Sequence, residues 1–211
     1  MFKLYGQSLQ TEQSSILSVD QNGFALAFFF DKLEIDTEWL INNKDTLDTV
    51  FTDSMVASLY SVTIKNPKNV CENTNMVNIL EELLNTIATS KFLTGKNVSE
   101  LTLELNGIYT EVNMSCLKSV NAPITVSCTR FSLEFLTSIP SFIKIRANID
   151  ECLSIELFNA FPKNVVHISY NKGNLHANMT IPDHVESVHI ELGGWGPDET
   201  LTLSQNCKTL Y

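Results

Sequence analysis

The residues best suited to chemistry lie in the second half of the chain. Lys144, Arg146, His167, His189 and Glu191 stand at polar positions of short segments in which apolar and polar residues alternate. Alternation is the period of a strand with one buried face and one wet face, so all five belong to the wet face. His167, His189 and Glu191 carry nitrogen and oxygen donors for a divalent metal. A closed zinc site takes four ligands, so this set is incomplete and no metal or other cofactor is expected. A pH-sensitive contact suits the two histidines better, because imidazole titrates near neutrality. Nucleophilic chemistry has thinner support. Cys116 and Cys152 supply thiols and His176 and His184 supply bases, but no spacing joins them. The chain contains no GxSxG, GxxxxGK[ST], HExxH or GxGxxG motif. The expectation is a protein that is not an enzyme and binds through side chains, with a cysteine-dependent enzyme as the alternative.

Five segments must position these residues: Leu101–Leu105, Ile124–Cys128, Ile143–Ala147, Val166–Tyr170 and Val188–Leu192. Their first residues, 101, 124, 143, 166 and 188, are 23, 19, 23 and 22 residues apart. A repeat of roughly 20–25 residues implies a solenoid, in which each unit stacks on its neighbours. Parallel stacking would align the polar residues in two columns. One runs Thr63, Thr102, Thr125, Lys144, His167, His189. The other runs Lys65, Glu104, Ser127, Arg146, Ser169, Glu191. Such a face recognises a partner by many moderate contacts with a few anchors. Gly193-Gly194-Trp195-Gly196-Pro197-Asp198 reads as a sharp loop that offers Trp195 as a further anchor.

The front half is built on longer units. Residues 14–30 read as a hairpin turning at Asn22-Gly23, which suits an N-terminal cap. Residues 37–58 read as a helix capped by Asp36 or Thr37, with Trp39, Leu40, Leu47, Val50, Phe51 and Met55 along one broad stripe. Val62–Lys65 is a strand. Residues 74–92 show the clearest helical spacing, through Leu80, Leu83, Leu84 and Ile87, with Glu81 and Glu82 on the wet side and Gly95 as the stop. The compact units carry a proline ahead of the strand, in Ile139-Pro140, Phe161-Pro162 and Ile181-Pro182. Proline fixes an extended approach, and the apolar residue before it can plug the core. Leu153–Leu157, Met179–Ile181 and Leu201–Leu203 could supply a second face of short extended segments in place of helices.

Composition removes several classes of function. Net charge is −10, and nucleic-acid binding normally needs a basic face, so neither nucleic acid nor an anionic membrane surface is an expected partner. The longest apolar run, Phe24–Phe30, falls far short of the ~20 residues that span a bilayer. Met1–Tyr5 does not open a secretory leader. The five cysteines, Cys71, Cys116, Cys128, Cys152 and Cys207, are odd in number and form no CxxC, which suits reduced thiols in a reducing compartment.

Ile181-Pro-Asp-His-Val-Glu-Ser-Val-His-Ile190 resembles the leucine-rich repeat of bacterial effector proteins, with Phe161–Ile168 and Ser138–Ile145 as shorter relatives. The resemblance covers residues 97–211, and residues 36–96 are similar to the strand–helix type of the same repeat. Isoleucine, valine and phenylalanine replace most of the expected leucines. The strand-closing Asn is clear only at Asn106, Asn148 and Asn171. The resemblance implies an α/β fold: a leucine-rich-repeat-like solenoid with a parallel sheet on its concave face, an N-terminal hairpin cap and two longer helices in the front half. It implies one domain over residues 1–211, divided into a cap (1–35), strand–helix repeats (36–96) and compact repeats (97–211). It implies protein binding on the concave face, where the strand columns place Thr102, Glu104, Thr125, Ser127, Lys144, Arg146, His167, Ser169, His189 and Glu191. The partner would be a host factor or another effector, met by a monomer delivered into host cytoplasm without a cleaved leader. An intracellular adaptor with no secretion role is the alternative setting.

Overall fold

Strands form where alternation predicts them, and what joins them differs along the chain. The computed structural model describes residues 2–8, 11–17, 30–50, 60–65, 75–106, 112–129, 131–149, 159–171, 179–191 and 200–210. The fold is α/β, with ten strands in parallel pairings and three α-helices among these residues. The chain divides into two compact units, one of residues 1–104 with 113–125 and one of 105–112 with 126–211.

The first unit starts with β1 (Phe2–Ser8), β2 (Thr11–Leu17) and β3 (Phe30–Asp36). β1 pairs antiparallel with both β2 and β3. An antiparallel strand pair is therefore present at the N-terminus, formed by β1 and β2 with Ser8 opposite Thr11. The Asn22-Gly23 turn lies outside the described residues. After β3 the pairing becomes parallel, through β4 (Tyr60–Lys65) to β5 (Val98–Asn106), in the order β5-β4-β3-β1-β2.

Helices α1 (Thr37–Val50) and α2 (Asn75–Thr89) supply the crossovers. The Asp36 carboxylate accepts from the Glu38 and Trp39 amides at 3.0 and 3.3 Å and so starts α1. The buried Thr37 hydroxyl donates to the Lys65 carbonyl at 3.1 Å, which ties the helix start to the end of β4. Asn43 leaves helical geometry (φ −132°, ψ 24°) and kinks α1. Of the expected stripe, Leu40 and Leu47 are buried and Trp39 is half-buried, and the Val50 side chain lies outside the described residues. Phe51 and Met55 lie outside the described residues. α2 matches its spacing: Leu80, Leu83, Leu84 and Ile87 are buried and Glu81 and Glu82 exposed. Leu33, Ile35, Val62, Ile64, Leu101 and Leu103 complete this core. Burying each leucine side chain contributes about 1.5–3 kcal/mol. An exposed ion pair contributes about 0–1 kcal/mol, so the core dominates this unit.

One polar contact between the helices escaped the sequence reading. The Asp48 carboxylate of α1 accepts from the Ser90 hydroxyl and from the Lys91 and Phe92 amides, at 3.0 and 3.1 Å for the amides. Ser90 is fully buried. Asp48 thereby caps the turn that follows α2. Gly95 closes that turn, and a β-carbon there would stand 2.9 Å from the Lys91 carbonyl oxygen.

The second unit holds β6 (Ile124–Thr129), α3 (Leu133–Ser138), β7 (Lys144–Ile149), β8 (Val165–Asn171), β9 (Met179–Thr180), β10 (Ser187–Glu191), β11 (Leu201–Thr202) and β12 (Thr209–Leu210). The first two residues of β6 belong to the first unit. The strand order is β12-β10-β8-β7-β6, each strand beside the next of its kind along the chain. β9 pairs parallel with β11 in a separate two-stranded sheet of short extended segments. Leu153–Leu157 lies outside the described residues. The short helix α3 was not expected. Ser132 caps it by accepting from the Phe135 amide at 3.1 Å, and Phe135 and Leu136 are fully buried.

Candidate functional site

The proline-led segments build one turn three times. The amides of Ile143, Val165 and Val185 donate to the carbonyls of Pro140, Pro162 and Pro182 at 2.9, 3.0 and 3.0 Å. The residue before each proline, Ile139, Phe161 or Ile181, is buried, as is the residue that closes each turn. A fourth copy lacks proline: the Cys207 amide donates to the Ser204 carbonyl at 3.2 Å. The third residue after the leading apolar one then reaches back. Asn164 Nδ2 donates to the carbonyls of Ile143, Pro140 and Ile139 at 3.0, 3.3 and 3.4 Å. Asn206 Nδ2 donates to the Asp183 carbonyl at 2.7 Å. His184 holds the equivalent position between them and hydrogen-bonds the Pro162 carbonyl. Its Nε2 is buried with no partner among the described residues. Burial, then Lys163, lower its proton affinity, against smaller opposing effects of Asp183 and the Pro162 bond. The signal for this ladder is the Asn or His two residues after Pro162, Pro182 and Ser204.

These turns hand the chain to the strands that carry the wet face. In the first unit, Glu34, Thr63 and Thr102 align across β3, β4 and β5, and Asp36, Lys65 and Glu104 form the next row. The predicted Thr63–Thr102 and Lys65–Glu104 steps therefore hold. Thr63 is buried, and Thr102 and Glu104 are half-buried. Cations on this face sit against an acid: Lys65 lies 2.9 Å and Lys32 3.4 Å from Glu34. The Ser61 hydroxyl donates to Glu100 at 2.7 Å.

In the second unit the expected columns are corrected by two residues. His167 aligns with Arg146 rather than Lys144, and Ser169 aligns with Asn148. On the next strand Ser187 aligns with His167, and His189 with Ser169. The register shifts between Ile145 and Arg146, where Val166 is the extra residue of a bulge. Val165, not Val166, is the fully buried residue. The rows are thus Arg146–His167–Ser187–Thr209 and Asn148–Ser169–His189, with Glu191 aligned to Asn171. The two histidines stand one two-residue step apart instead of in register, so the in-register pair weighed from the sequence is not formed. Groups of three or more potential metal ligands are absent among the described residues.

The predicted contact residues differ in access. Lys144 and Arg146 are exposed, and Thr125, Ser127, His167 and His189 are half-buried. Ser169 is buried, so it is not the open contact residue that alternation suggested. Ser127 accepts from Asn148 Nδ2 at 3.0 Å. The Glu191 side chain and all of Trp195 lie outside the described residues. Burial, then Arg146, then His189, lower the proton affinity of His167. The thiols of Cys116, Cys128 and Cys207 are free. Burial raises Cys116 and pushes Cys128 up to about 12, so both are held as thiols rather than nucleophilic thiolates. Cys152 and His176 lie outside the described residues. No helix among the described residues is long and apolar enough to cross a membrane.

No protein-family model matches this chain, and comparison with the curated proteins and with the solved structures finds no match either.

Proposed function

We propose that this protein is a non-catalytic, leucine-rich-repeat-like binding module that holds a partner protein on the wet face of its parallel strands. The observation that carries the reading is the row Arg146–His167–Ser187 with Lys144 beside it. These side chains are fixed in register on neighbouring strands, and their opposite face is packed with Ile145, Ala147 and Ile168. The paired strands hold the backbone of this face in place, so binding orders side chains but not backbone. The raised Cys116 thiol weighs against that residue as the nucleophile of the cysteine-enzyme reading. The resemblance of residues 97–211 to effector repeats supplies the biological setting: delivery into a host cell, where the partner is a host protein or another effector.

Pull-down from host and bacterial lysates tests the reading. The wild type is compared with Arg146→Glu/His167→Glu/His189→Glu. Loss of a specific partner from the triple variant is the expected result. Retention of every specific partner would exclude this face.

A further inference from the structure

The two units treat cations on their strands differently. In the first, Lys32 and Lys65 both lie against Glu34. In the second, Lys144 and Arg146 are exposed on β7 and no described carboxylate lies within ion-pair distance of either. Glu186 feels Lys144 but is paired with Lys208 at 3.0 Å. Arg146 stands in register with His167, and the aligned residues beyond are the hydroxyl side chains Ser187 and Thr209. In a chain of net charge −10, two cations thus share one strand face without a described ion-pair partner, and Glu186, which acts on Lys144, is held by Lys208.

We propose that this face docks an extended acidic segment of the partner protein, with Arg146 as the anchor and Lys144 and His167 flanking it. The proposal rests on the protein-binding reading above and gives the partner its chemistry. Lys144 and Arg146 are two residues apart on one strand, a separation of about 6.6–6.8 Å. Carboxylates two residues apart on an extended peptide have the same spacing, so a Glu-x-Glu or Asp-x-Asp segment lying along β7 meets both cations. The Arg146 guanidinium offers a two-pronged donor to one carboxylate, and the Lys144 ammonium offers a point charge to the other. The repulsion that Arg146 imposes on His167 is relieved by the same incoming anion.

The test is a titration of the ¹⁵N-labelled full chain with Gly-Glu-Ser-Glu-Ser-Glu-Gly, beside its glutamine analogue, inorganic phosphate and a single-stranded oligonucleotide. Saturable shifts at amides of 144–148, 165–169 and 187–189 with the glutamate peptide alone are expected. Arg146→Gln should weaken that binding by about tenfold or more, the size of one charge-assisted hydrogen bond, while Glu82→Gln leaves it unchanged. Because Arg146 is exposed, its variant keeps the wild-type melting temperature. No saturable shift in the millimolar range, equal shifts with the glutamine peptide, or tighter binding of phosphate or oligonucleotide would overturn the proposal. If the peptide fails while the triple variant still loses its pull-down partner, the acidic chemistry is wrong and the protein-binding reading stands. If the triple variant also retains every partner, both are wrong.

Discussion

The two units solve one problem, joining parallel strands, with different chemistry. The first uses long helices whose leucines cover the sheet, and it adds a single carboxylate, Asp48, to fasten one helix to the turn after the other. The second uses five-residue turns, with a buried residue at each end of the three that carry proline, and side-chain amides that bond the carbonyls of the preceding turn. A helix satisfies its own backbone and needs only an apolar face. A tight turn leaves carbonyls bare, so a neighbouring side chain must satisfy them. The same contrast extends to the wet face. Described lysines on β3 and β4 lie against Glu34, while no described carboxylate pairs with Lys144 or Arg146 on β7.

Core truncations should break the comparison most strongly. Leu84→Ala in α2 and Phe135→Ala in α3 each remove a fully buried side chain. Losses of about 2–5 and 3–5 kcal/mol are expected. Amide exchange should report the first in β3, β4 and β5 and the second in β7 and β8. Identical exchange patterns from both variants would mean that the two units do not respond separately.

The polar fastenings come next. Asp48→Ala leaves the buried Ser90 hydroxyl and two amides without their acceptor, and chemical denaturation should show a loss of about 2–4 kcal/mol. Asn164→Ala strips one donor from three carbonyls of the preceding turn and should cost about 1–2 kcal/mol. If Asn164→Ala proves as harmless as an exposed substitution such as Lys163→Ala, the amide ladder does not hold the turns.

The smallest effects concern protons. His167 and His184 both have pKa values lowered from 6.5, chiefly by burial. A histidine with a lowered folded pKa binds protons more readily when unfolded. Its contribution to stability is therefore complete above about pH 6.5 and is lost as pH falls through the folded pKa. Urea unfolding should show a lower midpoint at pH 5 than at pH 7.5. His184→Asn restores the ladder residue found at positions 164 and 206 and removes the partnerless Nε2. It should gain about 1 kcal/mol and flatten the acid loss. A variant that keeps the full acid sensitivity would assign the effect to His167 or to other groups.

Much of this architecture is legible in the residues because burial writes directly into local patterns. Leu80, Leu83, Leu84 and Ile87 can share one face only in a helix, and they do. Ile124, Val126 and Cys128 can share one face only in a strand, and they do. Proline before the strand marks the turn because it removes an amide that the sheet could not use. The helix α3 was hidden by its length: Leu133–Ser138 is too short to show a period. Asp48 was hidden because its donors lie more than forty residues along the chain.

The candidate site was legible only to one coordinate. Alternation decides which face a residue takes, because a shift of one residue would turn every apolar side chain outward. Lys144, Arg146 and His167 therefore belong to the wet face from sequence alone. A shift of two residues leaves every face unchanged, so nothing in the pattern distinguishes Lys144 from Arg146 as the neighbour of His167. The tertiary structure decides that, through the bulge at Val166 and the turn closed by Val165. By the same two-residue step it sets His189 beside Ser169 instead of beside His167. The sequence determined the faces because burial is a local, period-two constraint. Only the fold determined the rows, because register is fixed by where each turn delivers its strand.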